Sequence, residues 1–142
     1  LLARQLDTRY VAGLYAEWRP ATRTLTVASA GQPRPLLRRG GTVETLDIGG
    51  IPLGMLEEHN YDRIEIQLET GDLFVTASDG IHEARDSHGS DYGDTRLREF
   101  VQSLPADSSA ERVVSAILED VARFSGRQTP SDDRTVIVLR AV

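Results

Sequence analysis

Residues 73–78, LFVTAS, run almost unbroken in apolar character for the length of a strand and end directly on Asp79-Gly80. Such a strand has no polar face to offer water, so it belongs inside a sheet with both faces covered. A second run of this kind, VIVL at residues 136–139, follows Asp132-Asp133 near the end of the chain. Neither run suits a sheet edge. The second is therefore expected to return beside the first. As antiparallel neighbours, the end of one strand would lie beside the start of the other, placing Asp79 and Asp132 at the same rim.

The remaining segments fit around that pair. Strands are expected at residues 10–18 and 24–29, joined by the proline-containing connection 19–23. Thr24 to Val27 alternates polar and apolar, which predicts one buried face. A turn with two prolines, 30–35, leads to short strands at 36–39 and 42–46 around Gly40-Gly41. Residues 49–60 read as an irregular loop, and Ile64, Ile66 and Leu68 mark a half-buried strand. Asp79-Gly80 after residue 78 reads as a turn. Helical spacing then takes over. Leu97, Phe100, Val101 and Leu104 share a face at 95–104. Ser108 and Glu111 form a capping-box pattern ahead of the stripe Val114, Ile117, Leu118 and Val121, with Gly126 as the stop. Residues 1–7 suggest a short helical lead-in and 127–133 a loop. The order is a run of strands, two helices and a last strand, an α+β arrangement with a mostly antiparallel sheet and two C-terminal helices packed on it.

Composition narrows the function classes. The 142 residues carry a net charge of −6, all 16 basic residues are arginine, and cysteine is absent. The acidic balance argues against nucleic-acid binding and against docking on an anionic membrane surface. The lack of cysteine removes disulfides, thiolate metal sites and cysteine nucleophiles. No apolar stretch approaches the ~20 residues of a membrane span, and the N-terminus has no signal-peptide pattern, so a cytoplasmic location is expected.

Two carboxylates held at one rim repel unless a positive group stands between them. Mg²⁺ or Mn²⁺ is the common remedy, because both prefer carboxylate oxygen and water. Gly80 would let backbone approach closely. Asp133 is either an outward-facing structural residue or support for the site, and Thr135 is either a β-branched strand residue or a hydrogen-bonding neighbour of it. His59, His82 and His88 match no zinc spacing and are expected at the surface. Arg34, Arg38 and Arg39 could meet a phosphate, but read more simply as solvated strand residues. Glu83 is expected to support the turn after Asp79.

SAGQPRPLLRRGG, GIPLG, ETGDLFV, TASDGIHEARD and SDDRTVIVL follow one another along the chain. The chain thereby resembles the metal-dependent protein serine/threonine phosphatases of the PPM type, in the bacterial branch typified by SpoIIE and RsbU. The resemblance runs from about Tyr10 to Leu139. It implies an αββα sandwich with a dinuclear Mn²⁺ or Mg²⁺ site, Asp79 and Asp132 as metal ligands and catalytic residues, and Gly80, Asp133 and Thr135 in support. It further implies hydrolysis of phosphoserine or phosphothreonine on a regulatory protein, an anti-sigma-factor antagonist, with a sensor domain possible upstream. Two features depart from the family pattern. The G-D-x-x-G-H-G motif with its metal-bridging aspartate is missing; Gly71-Asp72 leads into a strand and Gly93-Asp94 opens a helix. Ala30-Gly31-Gln32-Pro33 stands where A-G-H-x-P is usual. Residues 1–142 are thus expected to be the C-terminal part of one such domain, giving an incomplete sandwich that is inactive alone. The rival reading is a non-catalytic protein-binding module on a degenerate phosphatase scaffold.

Overall fold

The computed structural model describes residues 10–126, 129–130 and 132–142; the expected lead-in at 1–7 and part of the loop at 127–133 lie outside them. The chain divides into two compact units. One draws on residues up to Arg34 and on Asp47–Leu68, the other on Pro35–Leu46 and Glu69–Val142.

The first unit is an antiparallel sheet of three strands, β1 (Gly13–Arg19), β2 (Thr24–Ala30) and β5 (Arg63–Gln67), in the order β1-β2-β5. The β1–β2 hairpin turns where expected, with the Arg23 N–H donating to Pro20 O at 3.3 Å. β1 starts later than the sequence suggests. Val11 instead makes an isolated bridge to Leu53, with N–H to O distances of 3.0 and 2.8 Å. β2 is central, and this changes its burial. Its alternation predicts one buried face, yet Thr26 is buried along with Leu25 and Val27. Thr26 lies in register between Glu17 and Glu65, whose long side chains flank it on both neighbours. β5 keeps its alternation, with Ile64 and Ile66 half-buried.

The second unit holds β3 (Leu36–Arg39), β4 (Thr42–Thr45), β6 (Leu73–Ala77) and β7 (Val136–Arg140) in an antiparallel sheet ordered β4-β3-β6-β7. Gly40 and Gly41 both have positive φ, 54° and 85°, as a two-residue β3–β4 turn requires. All five residues of β6 are buried, Thr76 among them, as its nearly unbroken apolar character demands. β7 pairs with β6 as expected but is not internal. It forms the edge of this sheet among the described residues, and Ile137 is 58% exposed.

Three helices complete this unit: α1 (Asp79–His82), α2 (Gly93–Ser103) and α3 (Ala110–Ser125). α2 packs on β4 and β3, and α3 on β7. Leu97 and Val101 of α2 join Val113, Ile117 and Val121 of α3 in one cluster with Leu73, Val75 and Ile81. The α3 stripe is rotated from the expected one, with Val113 fully buried and Val114 only partly. Its cap differs as well. Ser109, not Ser108, takes the N-cap position and accepts the Arg112 N–H at 3.2 Å. Glu111 then falls one position too early to close a capping box, while Ser108 is buried. The fold is α+β, with antiparallel sheets and helices packed on a sheet.

Candidate functional site

β6 and β7 run antiparallel with Ala77 opposite Val136. The end of one strand therefore meets the start of the other. The pairing continues one step past the ladder: the Ser78 N–H donates to Thr135 O at 2.9 Å. The Ser78 hydroxyl accepts the Thr135 N–H at 3.0 Å and donates to Asp133 O at 3.1 Å.

Asp79 follows at once. It opens α1, so the expected Asp-Gly turn is a single helical turn. Its carboxylate is in the first turn, where the helix dipole favours negative charge. Gly80 is buried and pressed on the Asp132-Asp133 backbone. A Cβ there would sit 2.9 Å from the Asp133 carbonyl carbon and 3.2 Å from Asp132 O, and would collide with Asp133 O. The main chains carrying Asp79 and Asp132 are thus in direct contact, which the antiparallel pairing predicts.

Each carboxylate is tied locally and open to solvent. Asp79 Oδ1 accepts the Gly80 N–H at 3.0 Å, and Asp132 Oδ1 accepts the Asp133 N–H at 2.7 Å. Both residues are exposed, as are Asp133 and Thr135. Thr135 serves through its backbone N–H and C=O. Asp133 serves through its carbonyl, against Gly80 and Ser78. Arg134 anchors the same segment to the end of α3, donating to Ser125 Oγ at 2.9 Å.

This donor set suits a hard cation. Two exposed carboxylates provide oxygen ligands, and ions of the Mg²⁺ type are commonly held by one or two carboxylates with water and phosphate filling the rest. Among the described residues, no group of three or more His, Cys, Asp or Glu gathers to hold a metal ion. The rim holds the exposed carboxylates of Asp79 and Asp132.

The family of Stage II sporulation protein E (SpoIIE) matches residues 1–142. The chain belongs to the SpoIIE family. Phosphoserine phosphatase RsbU of Bacillus subtilis is 29% identical over 136 residues, 92% of this chain and 39% of RsbU. Among solved structures, the Mn-presoaked phosphatase domain of B. subtilis SpoIIE superposes with a TM-score of 0.75 at 22% identity. That match covers 97% of this chain and 60% of the SpoIIE one. The RsbU and RsbW domains of Rv1364c from Mycobacterium tuberculosis give 0.80 at 20% identity, over 98% of this chain and 38% of theirs. These likenesses establish a shared phosphatase-domain fold, of which this chain spans part of each relative's length.

Two readings of side chains in this SpoIIE-family chain need correction. His82 is not a surface histidine: its side chain is 11% exposed, with Nδ1 2.5 Å from Asp94 Oδ1 at the start of α2. It lies on α1, so this contact ties the Asp79 turn to α2. Arg38 is not solvated. It is 6% exposed and donates to Leu104 O at 2.6 Å and Pro105 O at 3.3 Å, past the end of α2. Arg39 and Arg34 are exposed as expected, Arg39 pairing with buried Asp72 at 2.6 Å and Arg34 with Asp47 at 3.2 Å. His59 and His88 are exposed as expected, and Glu83 supports the turn after Asp79 by donating its N–H to Asp79 O at 2.8 Å.

Sequence reasoning also missed a buried polar cluster beside this segment. The Tyr92 N–H donates to Ala84 O at 2.8 Å, closing the segment that follows α1. The Tyr92 hydroxyl donates to Asp120 Oδ2 at 2.8 Å inside the core. Burial, reinforced by that carboxylate, pushes the Tyr92 phenol well above its usual range. Arg96 and Arg123 approach Asp120 at 3.5 and 3.2 Å, and Arg96 lies over the rings of Tyr92 and Phe124. The available signal was Asp120 itself, one position before Val121 on the apolar side of α3.

Proposed function

We propose that residues 1–142 form the C-terminal part of a SpoIIE-like phosphatase domain that hydrolyses phosphoserine or phosphothreonine on a regulatory protein. The observation that carries this reading is the contact of Gly80 with the Asp132-Asp133 backbone, which places Asp79 and Asp132 at one solvent-open rim. Family membership across the whole chain supports the reaction class. The phosphoserine phosphatase activity in RsbU's name supports the substrate class. The Mn-presoaked SpoIIE domain supports Mn²⁺ or Mg²⁺ as the cofactor.

Asp79 and Asp132 would hold the metal through their carboxylates. A bound Mn²⁺ or Mg²⁺ supplies Lewis acidity and an activated water at neutral pH. The chain's part is positioning. Gly80 and Asp133 set the spacing of the two carboxylates, and solvent exposure leaves room for a phosphoprotein to approach. An anti-sigma-factor antagonist fits the RsbU likeness as substrate, with a sensor domain upstream supplying regulation and the cytoplasm as location. Among the described residues no helix is long and apolar enough to cross a membrane.

A second reading, a non-catalytic protein-binding module, draws on the finding that no group of three or more His, Cys, Asp or Glu gathers to hold a metal ion among the described residues. One experiment separates the two. Mn²⁺ binding is measured by calorimetry in the full-length protein, alongside turnover of a phosphoserine peptide with and without chelator. For the phosphatase, turnover is chelator-sensitive, and Asp79→Asn and Asp132→Asn each weaken Mn²⁺ binding and abolish turnover. A protein that binds no Mn²⁺ and turns nothing over, while both variants match wild type, belongs to the binding-module reading.

A further inference from the structure

Ser78 occupies the N-cap position of α1, yet its side chain makes no capping hydrogen bond. Serine at this position ordinarily satisfies an amide of the first helical turn. Here the hydroxyl is turned away from the helix and across the strand pair. It accepts the Thr135 N–H at 3.0 Å and donates to Asp133 O at 3.1 Å. The backbone N–H of Ser78 adds the bond to Thr135 O at 2.9 Å.

The consequence follows from where these bonds fall. Asp132 to Thr135 precede β7, whose ladder with β6 begins only at Val136. Among the described residues no ladder bond fixes Asp132-Asp133, and discrete contacts hold the segment. On the α3 side that contact is Arg134 to Ser125. On the Asp79 side it is the Ser78 hydroxyl, one residue from Asp79 and bonded to the carbonyl one residue past Asp132. A hydroxyl has one donor and two acceptor positions, and this one places its donor and one acceptor on the same segment.

The geometry assigns Ser78 as a positioning residue that sets the distance between the Asp79 and Asp132 carboxylates, at the cost of leaving α1 without a side-chain cap. This assignment rests on the metal-site reading above. Groups that orient metal ligands through a hydrogen bond typically change metal affinity or activity about 10- to 100-fold when removed.

The test uses full-length protein and the variants Ser78→Ala, Ser78→Thr and Ser78→Cys. Mn²⁺ affinity is measured by calorimetry, kcat and KM on an aryl phosphate, and amide exchange at Thr135. Ser78→Ala is expected to weaken Mn²⁺ binding about 10-fold or more, lower kcat with little change in KM, and speed exchange at Thr135. Ser78→Thr, which keeps the hydroxyl, restores all three. Ser78→Cys, which keeps the volume but bonds weakly, follows Ser78→Ala and serves in its place if the alanine variant unfolds. Faster exchange at Thr135 with unchanged Mn²⁺ affinity and kcat overturns the assignment, because the bonds would then hold the strand end without setting the site. Asp79→Asn and Asp132→Asn run in parallel. If they bind Mn²⁺ as wild type does, it is the metal-site reading that fails, whatever Ser78→Ala shows.

Discussion

Gly80 lies against the peptide carbonyl of Asp133, so closely that no side chain fits between them. The obstacle is backbone, which cannot rotate aside as the tip of a flexible side chain can. Gly80→Ala must push the Asp132-Asp133 segment outward or shift α1. Overpacking of this kind typically costs about 1–3 kcal/mol. The expected outcome is a lower urea midpoint and weaker Mn²⁺ binding in the same variant, since both carboxylates ride on the displaced segments. An alanine variant with wild-type midpoint and affinity would show that the two segments separate freely.

The Tyr92–Asp120 bond predicts a pH dependence. Burial and the neighbouring carboxylate raise the phenol above its ordinary value, favouring the neutral form in the folded state. A group whose pKa is raised on folding contributes fully below its unfolded pKa, near 10 for tyrosine. That contribution declines as the pH rises beyond this point. Stability should therefore fall more steeply above pH ~10 than in Tyr92→Phe, in which the slope is reduced. At neutral pH, Tyr92→Phe leaves Asp120 with one donor fewer and should cost about 1–3 kcal/mol. Chemical unfolding across pH 7 to 11, with tyrosinate absorbance followed in parallel, measures both effects. Equal slopes in the two proteins would rule out Tyr92 as the source.

Strand pairing and the shared rim of Asp79 and Asp132 were legible in the sequence because both depend on uninterrupted apolar runs. A strand with no polar face has few places to go, and its flanking residues go with it. The edge position of β7 was not legible, since apolar character records what a strand can tolerate and not which neighbours it has. Burial of Thr26 and Arg38 was hidden for a related reason. Each is polar, and its burial depends on residues distant in sequence: Glu17 and Glu65 in register with Thr26, and the Leu104 and Pro105 carbonyls past the end of α2 for Arg38. Ser78 was hidden differently. Its place before Asp-Gly is visible in the sequence, but whether its hydroxyl caps α1 or crosses to Asp133 is decided only by tertiary geometry.

Arg38 offers the last prediction. Its guanidinium reaches from β3 to two carbonyls at the end of α2, Leu104 O and Pro105 O, and is itself nearly excluded from solvent. A cation there opposes the negative end of the helix dipole and satisfies carbonyls that have no helical donor. Arg38→Met keeps much of the stem's packing but strands both acceptors. Hydrogen bonds from charged donors contribute about 1.5–3 kcal/mol each, and screening at the part-exposed carbonyls reduces the sum. A loss of about 2–3 kcal/mol in urea unfolding is therefore expected. Arg38→Lys should recover only part of it, because an ammonium is a single point of donation and cannot span two carbonyls as the planar fork does. Full recovery by lysine would mean that charge alone matters at this helix end. No loss in Arg38→Met would mean that water replaces the guanidinium without cost.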